Sequence, residues 1–211
     1  MNEKRNVWLP VALMLAFALT RWPGLLPPNF SAAYALAFCA GVFLPRWLAW
    51  WLPLATLGAT DLLLNLHYAS QGIDAWHAMQ FINYGAFALL IWLGTRFQPR
   101  AAWWWLVLGG LAGAVVFYLV TNTAAWFFNP FQNPEYTKTL AGWIIALTKG
   151  TAGYPETWQF FRNTLLSGGL FTALFAGAVR LVEKFEESPE PEPEQAPARE
   201  EDAAEPHRAE T

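Results

Sequence analysis

Six apolar segments dominate the chain up to Lys184: Val7–Thr20, Ser31–Leu44, Leu48–Leu66, Ala78–Thr95, Ala101–Phe128 and Asn163–Val182. A bilayer core takes about 20 apolar residues in a helix, within a range of about 17–25. A chain that repeats such segments is predicted to fold all-α, as an integral membrane bundle of about six transmembrane helices. The first two segments fall short of a full span. Trp22–Leu26 and Trp47 could extend them, or they could stand with little tilt in a thin bundle. The fifth is long enough to tilt or to project beyond the core. No segment sustains the alternation that a β-barrel requires. Composition agrees, with 55% hydrophobic and 14% charged residues, and with 13 Trp and 16 Phe in only 211 residues. A soluble domain carries more charge and fewer aromatic rings.

Beyond Lys184 the text changes to "FEESPEPEPEQAPAREEDAAEPHRAET". Pro, Glu and Ala leave almost nothing to bury, so a disordered tail is expected. The chain therefore divides into a six-helix membrane domain over residues 1–184 and an acidic tail over residues 185–211. The net charge of -3 comes largely from that tail. The N-terminus has the basic start and apolar run of a signal peptide but lacks a small-x-small cleavage site before Arg21, and reads as a retained first helix. Cys39 is the lone cysteine, which excludes an intrachain disulfide; it reads as a small buried hydrophobe.

Charge placement gives an orientation. With the N-terminus in the cytoplasm, Lys4, Arg5, Arg46, Arg96, Arg100, Arg180 and Lys184 fall inside, and Arg21, Lys138, Lys149 and Arg162 outside. This follows the positive-inside tendency and puts both termini in the cytoplasm. Tryptophans border both faces: Trp47, Trp50, Trp51 and Trp103–Trp105 inside, and Trp22, Trp76, Trp126 and Trp158 outside. The inner connections are short. The outer ones are longer, and "LAGWIIALTKG" in the last of them suits a short interfacial or re-entrant helix. Elaborated loops of this kind often carry function.

Polar residues inside apolar segments are costly and become candidates for function. At 1.5 Å per residue, Asp61 lies about 20 Å along the third helix, in its outer third. Asn65 is one turn further on the same face. Asn122 lies far along the fifth helix, Arg162 and Asn163 open the sixth, and Arg21 closes the first. Four helices thus bring polar residues to one depth, which favours an outward-facing cavity. Its candidate lining is Arg21, Asn29, Asp61, Asn65, Asn122, Lys138, Arg162 and Asn163. Asp61 is read either as a clamp paired with Arg21 or Arg162, or as a contact to ligand. The outer aromatic residues suit a flat organic ligand or an interface.

Several chemistries lack their signatures. No G-x-x-x-x-G-K-[ST] phosphate loop, G-x-S-x-G elbow, H-E-x-x-H pair or C-x-x-C pair occurs, and no nucleophile–base pair stands out, so no enzyme, cofactor or nucleic-acid role is expected. His67 and His77 flank one loop without an obvious third metal ligand. Ala12 and Ala16 form A-x-x-x-A, and Gly109 and Gly113 form G-x-x-x-G. Both spacings permit close helix approach, most simply within the bundle.

The stretches "RWPGLLPPNFSAAYALAFCAGVFLPR", "PLATLGATDLLLN", "FYLVTNTAAWF", "YTKTLAGW" and "FFRNTLLSGGLFTALF" resemble a family of small, mostly uncharacterised bacterial membrane proteins. That family is grouped with the substrate-binding S components of energy-coupling-factor (ECF) transporters. The resemblance covers most of Arg21–Phe175. It implies a six-helix protein that captures a vitamin or similar micronutrient from outside, with the first outer loop as a lid. It further implies a partner membrane subunit and two ATPases, with the A-x-x-x-A positions Ala12 and Ala16 touching that partner. Two other roles remain open: an ion-coupled permease acting alone, with Asp61 as carrier carboxylate, and a membrane scaffold or assembly protein that recruits partners through its tail.

Overall fold

The computed structural model describes residues 8–186. Lys4, Arg5 and the acidic tail from residue 187 lie outside the described residues. Seven helices and no strand occur among those described. They are α1 (Trp8–Thr20), α2 (Ala33–Phe43), α3 (Arg46–Ser70), α4 (Met79–Gly94), α5 (Trp103–Phe128), α6 (Leu140–Thr148) and α7 (Thr157–Glu186). Each of the six apolar segments forms a helix. The seventh, α6, is the "LAGWIIALT" stretch. The last helix starts earlier than its apolar signal and runs two residues past Lys184.

Three helices are long and apolar enough to cross a membrane: α3, α5 and α7. α1, α2 and α4 are shorter apolar helices. The shortest of these is the most enclosed. α2 touches α1, α3, α4, α5 and α7, and Ala33 to Ala40 are all buried. A helix apolar on every face belongs in the interior. At 11 residues it rises about 16 Å, roughly half a bilayer core. It can stop short because neighbouring helices, not lipid, surround its ends.

Large apolar residues face outward as well as inward. Leu15 and Leu19 on α1, and Leu166, Leu170 and Leu174 on α7, are exposed at helical spacing. The inward side of α7 is mostly small or polar, with Asn163, Thr164, Ser167, Thr172 and Ala176 beside one large residue, Phe175. Leucine outside with small and hydroxyl residues inside reverses the soluble pattern and is the packing used by helices in lipid. Trp47 and Trp51 at one end of the bundle, and Trp22 and Trp76 at the other, are likewise exposed.

Small residues set the close contacts. A Cβ on Gly41 of α2 would collide with the Ile91 carbonyl and lie 3.0 Å from Gly94 Cα, and one on Gly94 would collide with the Phe38 carbonyl. Backbone therefore meets backbone between α2 and α4. The G-x-x-x-G of α5 is also spent internally. Gly109 faces Phe38 and Phe97, and Gly113 faces Leu90. On α1, Ala16 packs against the core while Ala12 stays exposed.

Gly41→Ala should therefore destabilise the fold by about 1–3 kcal/mol or more, because backbone cannot yield as a side chain can. Gly85→Ala, at an exposed helical position where an added Cβ meets nothing within 4 Å, should stabilise by about 0.5–1 kcal/mol. Melting of the two variants in detergent checks the pair. A Gly41→Ala melt at or above that of Gly85→Ala contradicts this packing.

Candidate functional site

The space above the N-terminus of α2 is a cavity of about 720 Å³. α2 begins low in the bundle, level with the end of α1, while α3, α4 and α5 line the space above it, so they form walls around a vacated column. The chain between α1 and α2 forms one rim.

That rim is held by local chemistry. The Ala32 N–H donates to Thr20 Oγ1 (3.0 Å), and the Thr20 and Ser31 hydroxyls pair at 3.2 Å. The two ends of the 21–31 loop are thereby clasped together. Within it, the Phe30 N–H donates to the Pro27 carbonyl (2.9 Å), and Asn29 has φ 60. Pro followed by a residue with positive φ is the pattern of a type II turn, and Asn tolerates that conformation. Asn163 of α7 donates from Nδ2 to the Pro28 carbonyl at 2.9 Å, and the Phe30 ring meets Phe171 of α7 at 6.0 Å. The turn is thus pinned from behind.

Arg21 closes the α1–α3 wall. Its guanidinium donates to Asp61 Oδ1 (2.5 Å), Thr60 Oγ1 (2.5 Å) and the Leu57 carbonyl (3.3 Å). The two charged side chains are only 19% and 13% exposed. Of the two partners expected for Asp61, Arg21 is the one that reaches it. Along α3, Asn65 is buried and its Oδ1 accepts from Gln80 Nε2 of α4 (3.2 Å). Asn122 of α5 donates from Nδ2 back to the Tyr118 carbonyl (2.9 Å). Beneath these polar groups lies a ring cluster. Tyr34 and Phe87 stack at 5.9 Å with planes 6° apart, and Phe117 sits 4.8 Å from Tyr34 and 5.0 Å from Phe87.

Five of the residues singled out from sequence line the cavity: Arg21, Asn29, Asp61, Asn65 and Asn122. Asn163 stands behind the rim as its anchor. Lys138 lies elsewhere. Its ammonium caps α5, donating to the carbonyls of Trp126 (2.7 Å) and Phe127 and lying over both rings. Cations at helix C-termini satisfy such free carbonyls. Arg162 lies over Trp158 and is exposed. The lining also includes Thr121, and with it Tyr34, Gln80, Asn83, Phe87, Phe117 and Asn133, which sequence reading did not single out. Gln80 and Asn83 are one turn apart at the start of α4, and polar residues there look like an ordinary solvated helix end.

His67 packs on Trp22 (5.0 Å) and His77 on Phe131 (5.7 Å). Among the described residues no three His, Cys, Asp or Glu gather as a metal site. Cys39 is buried in α2. At the far end of α3, Arg46, Trp47, Trp50, Trp51 and Leu54 edge an open depression of about 570 Å³. Its wall is almost wholly apolar, as befits an aromatic belt at a membrane border.

The class defined by these observations is an all-helical protein with apolar helices long enough to cross a membrane and a polar-rimmed cavity at one end. Over residues 1–191 the chain matches the family of unknown function DUF6580, and it belongs to that family. No curated protein and no solved structure matches it.

Two expectations follow for the site. Arg21→Ala or Asp61→Ala alone should cost about 3–5 kcal/mol, because each leaves a sheltered charge unpaired. The double variant should cost less than the sum of the two, with a coupling of about 0.5–3 kcal/mol in a double-mutant cycle. Additive losses contradict the pairing. Asn163→Ala should cost about 1 kcal/mol and speed amide hydrogen exchange across Trp22–Phe30 while the middle of α7 keeps its protection. Unchanged exchange in that loop contradicts the anchor.

Proposed function

We propose that this chain is a membrane-embedded binding subunit of a transport system, built as a six-span, S-component-like bundle that captures a small organic ligand of vitamin or micronutrient type. The observation that carries the reading is the cavity of about 720 Å³, walled by α3, α4 and α5 and rimmed by a clasped loop. Its size and its mix of aromatic floor and convergent polar groups suit a small-molecule site.

Charge supports the membrane placement. Arg46, Arg96, Arg100, Arg180 and Lys184 lie toward the end of the bundle opposite the cavity, at the α3 start, the α4–α5 connection and the α7 end. Basic residues prefer the cytoplasmic side. The cavity then faces out of a bacterial inner membrane, and both termini face in. Energy for transport would come from a partner membrane subunit and ATPases. Ala12, exposed on α1 one turn before half-buried Ala16, is a place for the membrane subunit to approach. Arg21 already engages Asp61, which weighs against Asp61 as the carrier carboxylate of a solitary permease. A scaffold would have no use for the cavity.

Protein purified gently from membranes should carry a small molecule that mass spectrometry detects after extraction. Returned at 100 times its Kd, that molecule should stabilise the stripped protein by about 2.7 kcal/mol. A stripped protein whose melting no extracted compound shifts contradicts the binding role. Uptake into liposomes holding this chain alone would favour the permease.

A further inference from the structure

We propose that the cavity selects an uncharged, flat ligand, lying on the Tyr34–Phe87–Phe117 rings and presenting a carbonyl acceptor of the cyclic amide or imide type to Asn65. This deepens the reading above and rests on the cavity being a ligand site.

Charge is the first argument. Arg21 and Asp61 are the only Arg, Lys, Asp or Glu in the described lining, and each holds the other at 2.5 Å. Nη2 holds Asp61, and Nη1 is committed to Thr60 and Leu57. A carboxylate or phosphate ligand would find no free cation in the wall, and an ammonium ligand no free anion. His77 lines the cavity only as an exposed residue packed on Phe131. Admitting a charge means breaking the Arg21–Asp61 pair or leaving the charge uncompensated, and both are costly.

The second argument is the amide collar. Asn29, Asn65, Gln80, Asn83, Asn122 and Asn133 all line the cavity. A primary amide offers two donors and an acceptor without net charge. One of these donors is unmatched. Asn65 is 3% exposed, and its Nδ2 is buried without a hydrogen-bond partner. Its orientation is fixed from the other side. Gln80 Nε2 donates both to Asn65 Oδ1 (3.2 Å) and to the Ala75 carbonyl (3.5 Å). Reversing both amides would set the Gln80 oxygen against that carbonyl. Buried donors are nearly always paired, so a donor left over on a residue that lines the cavity points to an acceptor supplied from outside the chain.

The third argument is shape. The near-parallel Tyr34 and Phe87 rings, with Phe117 against both, give an apolar floor suited to a planar ring system.

The test uses the full-length protein in detergent, stripped of bound compounds, with uracil paired against orotate and with lumichrome as a larger neutral imide. Binding is read by thermal shift and titration calorimetry. At least one neutral probe should bind, roughly tenfold or more tighter than orotate. Asn65→Leu should weaken that neutral probe roughly tenfold. The paired comparison on the unaltered protein stands even where Asn65→Leu folds poorly. Equal or tighter binding of a carboxylate, no binding by any neutral probe, or unchanged binding in folded Asn65→Leu overturns the proposal. A charged molecule carried through purification would overturn it too while leaving the binding function standing. Only a protein that carries and binds no small molecule removes both.

Discussion

Everything in this bundle arranges itself around the burial of α2. Eleven residues, mostly Ala and aromatic, are enclosed by five other helices. Ala and Gly let those neighbours come close, to the point that the α2 and α4 backbones touch at Gly41 and Gly94. A helix so enclosed need not reach both membrane borders. Because it begins only at Ala33, the column above it is left to side chains of α3, α4, α5 and the loop that follows α1. The cavity is the geometric consequence of one short helix inside longer ones.

A void at that depth has to be closed without stranding polar groups. Arg21 does much of this, joining the end of α1 to Leu57, Thr60 and Asp61 of α3. Thr20 ties the two ends of the following loop together, and Asn163 holds its turn from α7. These bonds join distant parts of the chain, so the rim is as fixed as the helices that carry it. The polar groups that remain unmatched are correspondingly informative, and Asn65, whose Nδ2 is one of them, lines the cavity.

Much of this was legible in the sequence. Hydrophobic runs located six of the helices, because apolar length is a strong signal. Rise per residue set Arg21, Asp61, Asn65 and Asn122 at a common depth, and all four line one cavity. The less legible parts depend on where loops go. Lys138 resembled a site cation, yet the path of the 129–139 segment brings it back onto the last carbonyls of α5. Gln80 and Asn83 went unnoticed because a polar first turn is common in any helix. The start of α7 at Thr157 escaped the hydropathy reading because Trp158–Arg162 mixes aromatic and polar residues. The stacking of Tyr34, Phe87 and Phe117 joins three helices, and no spacing within one segment announces it.

The central claim is that the column above α2 is a place for a ligand. Native mass spectrometry of the intact protein released from detergent, compared with Ala125→Trp, tests it most directly. Ala125 lines the cavity on α5, and an indole there would fill it from the wall. The account predicts a small-molecule adduct on the unaltered protein that is lost from a folded Ala125→Trp. An adduct retained in full by that variant, or none on either protein, would contradict it.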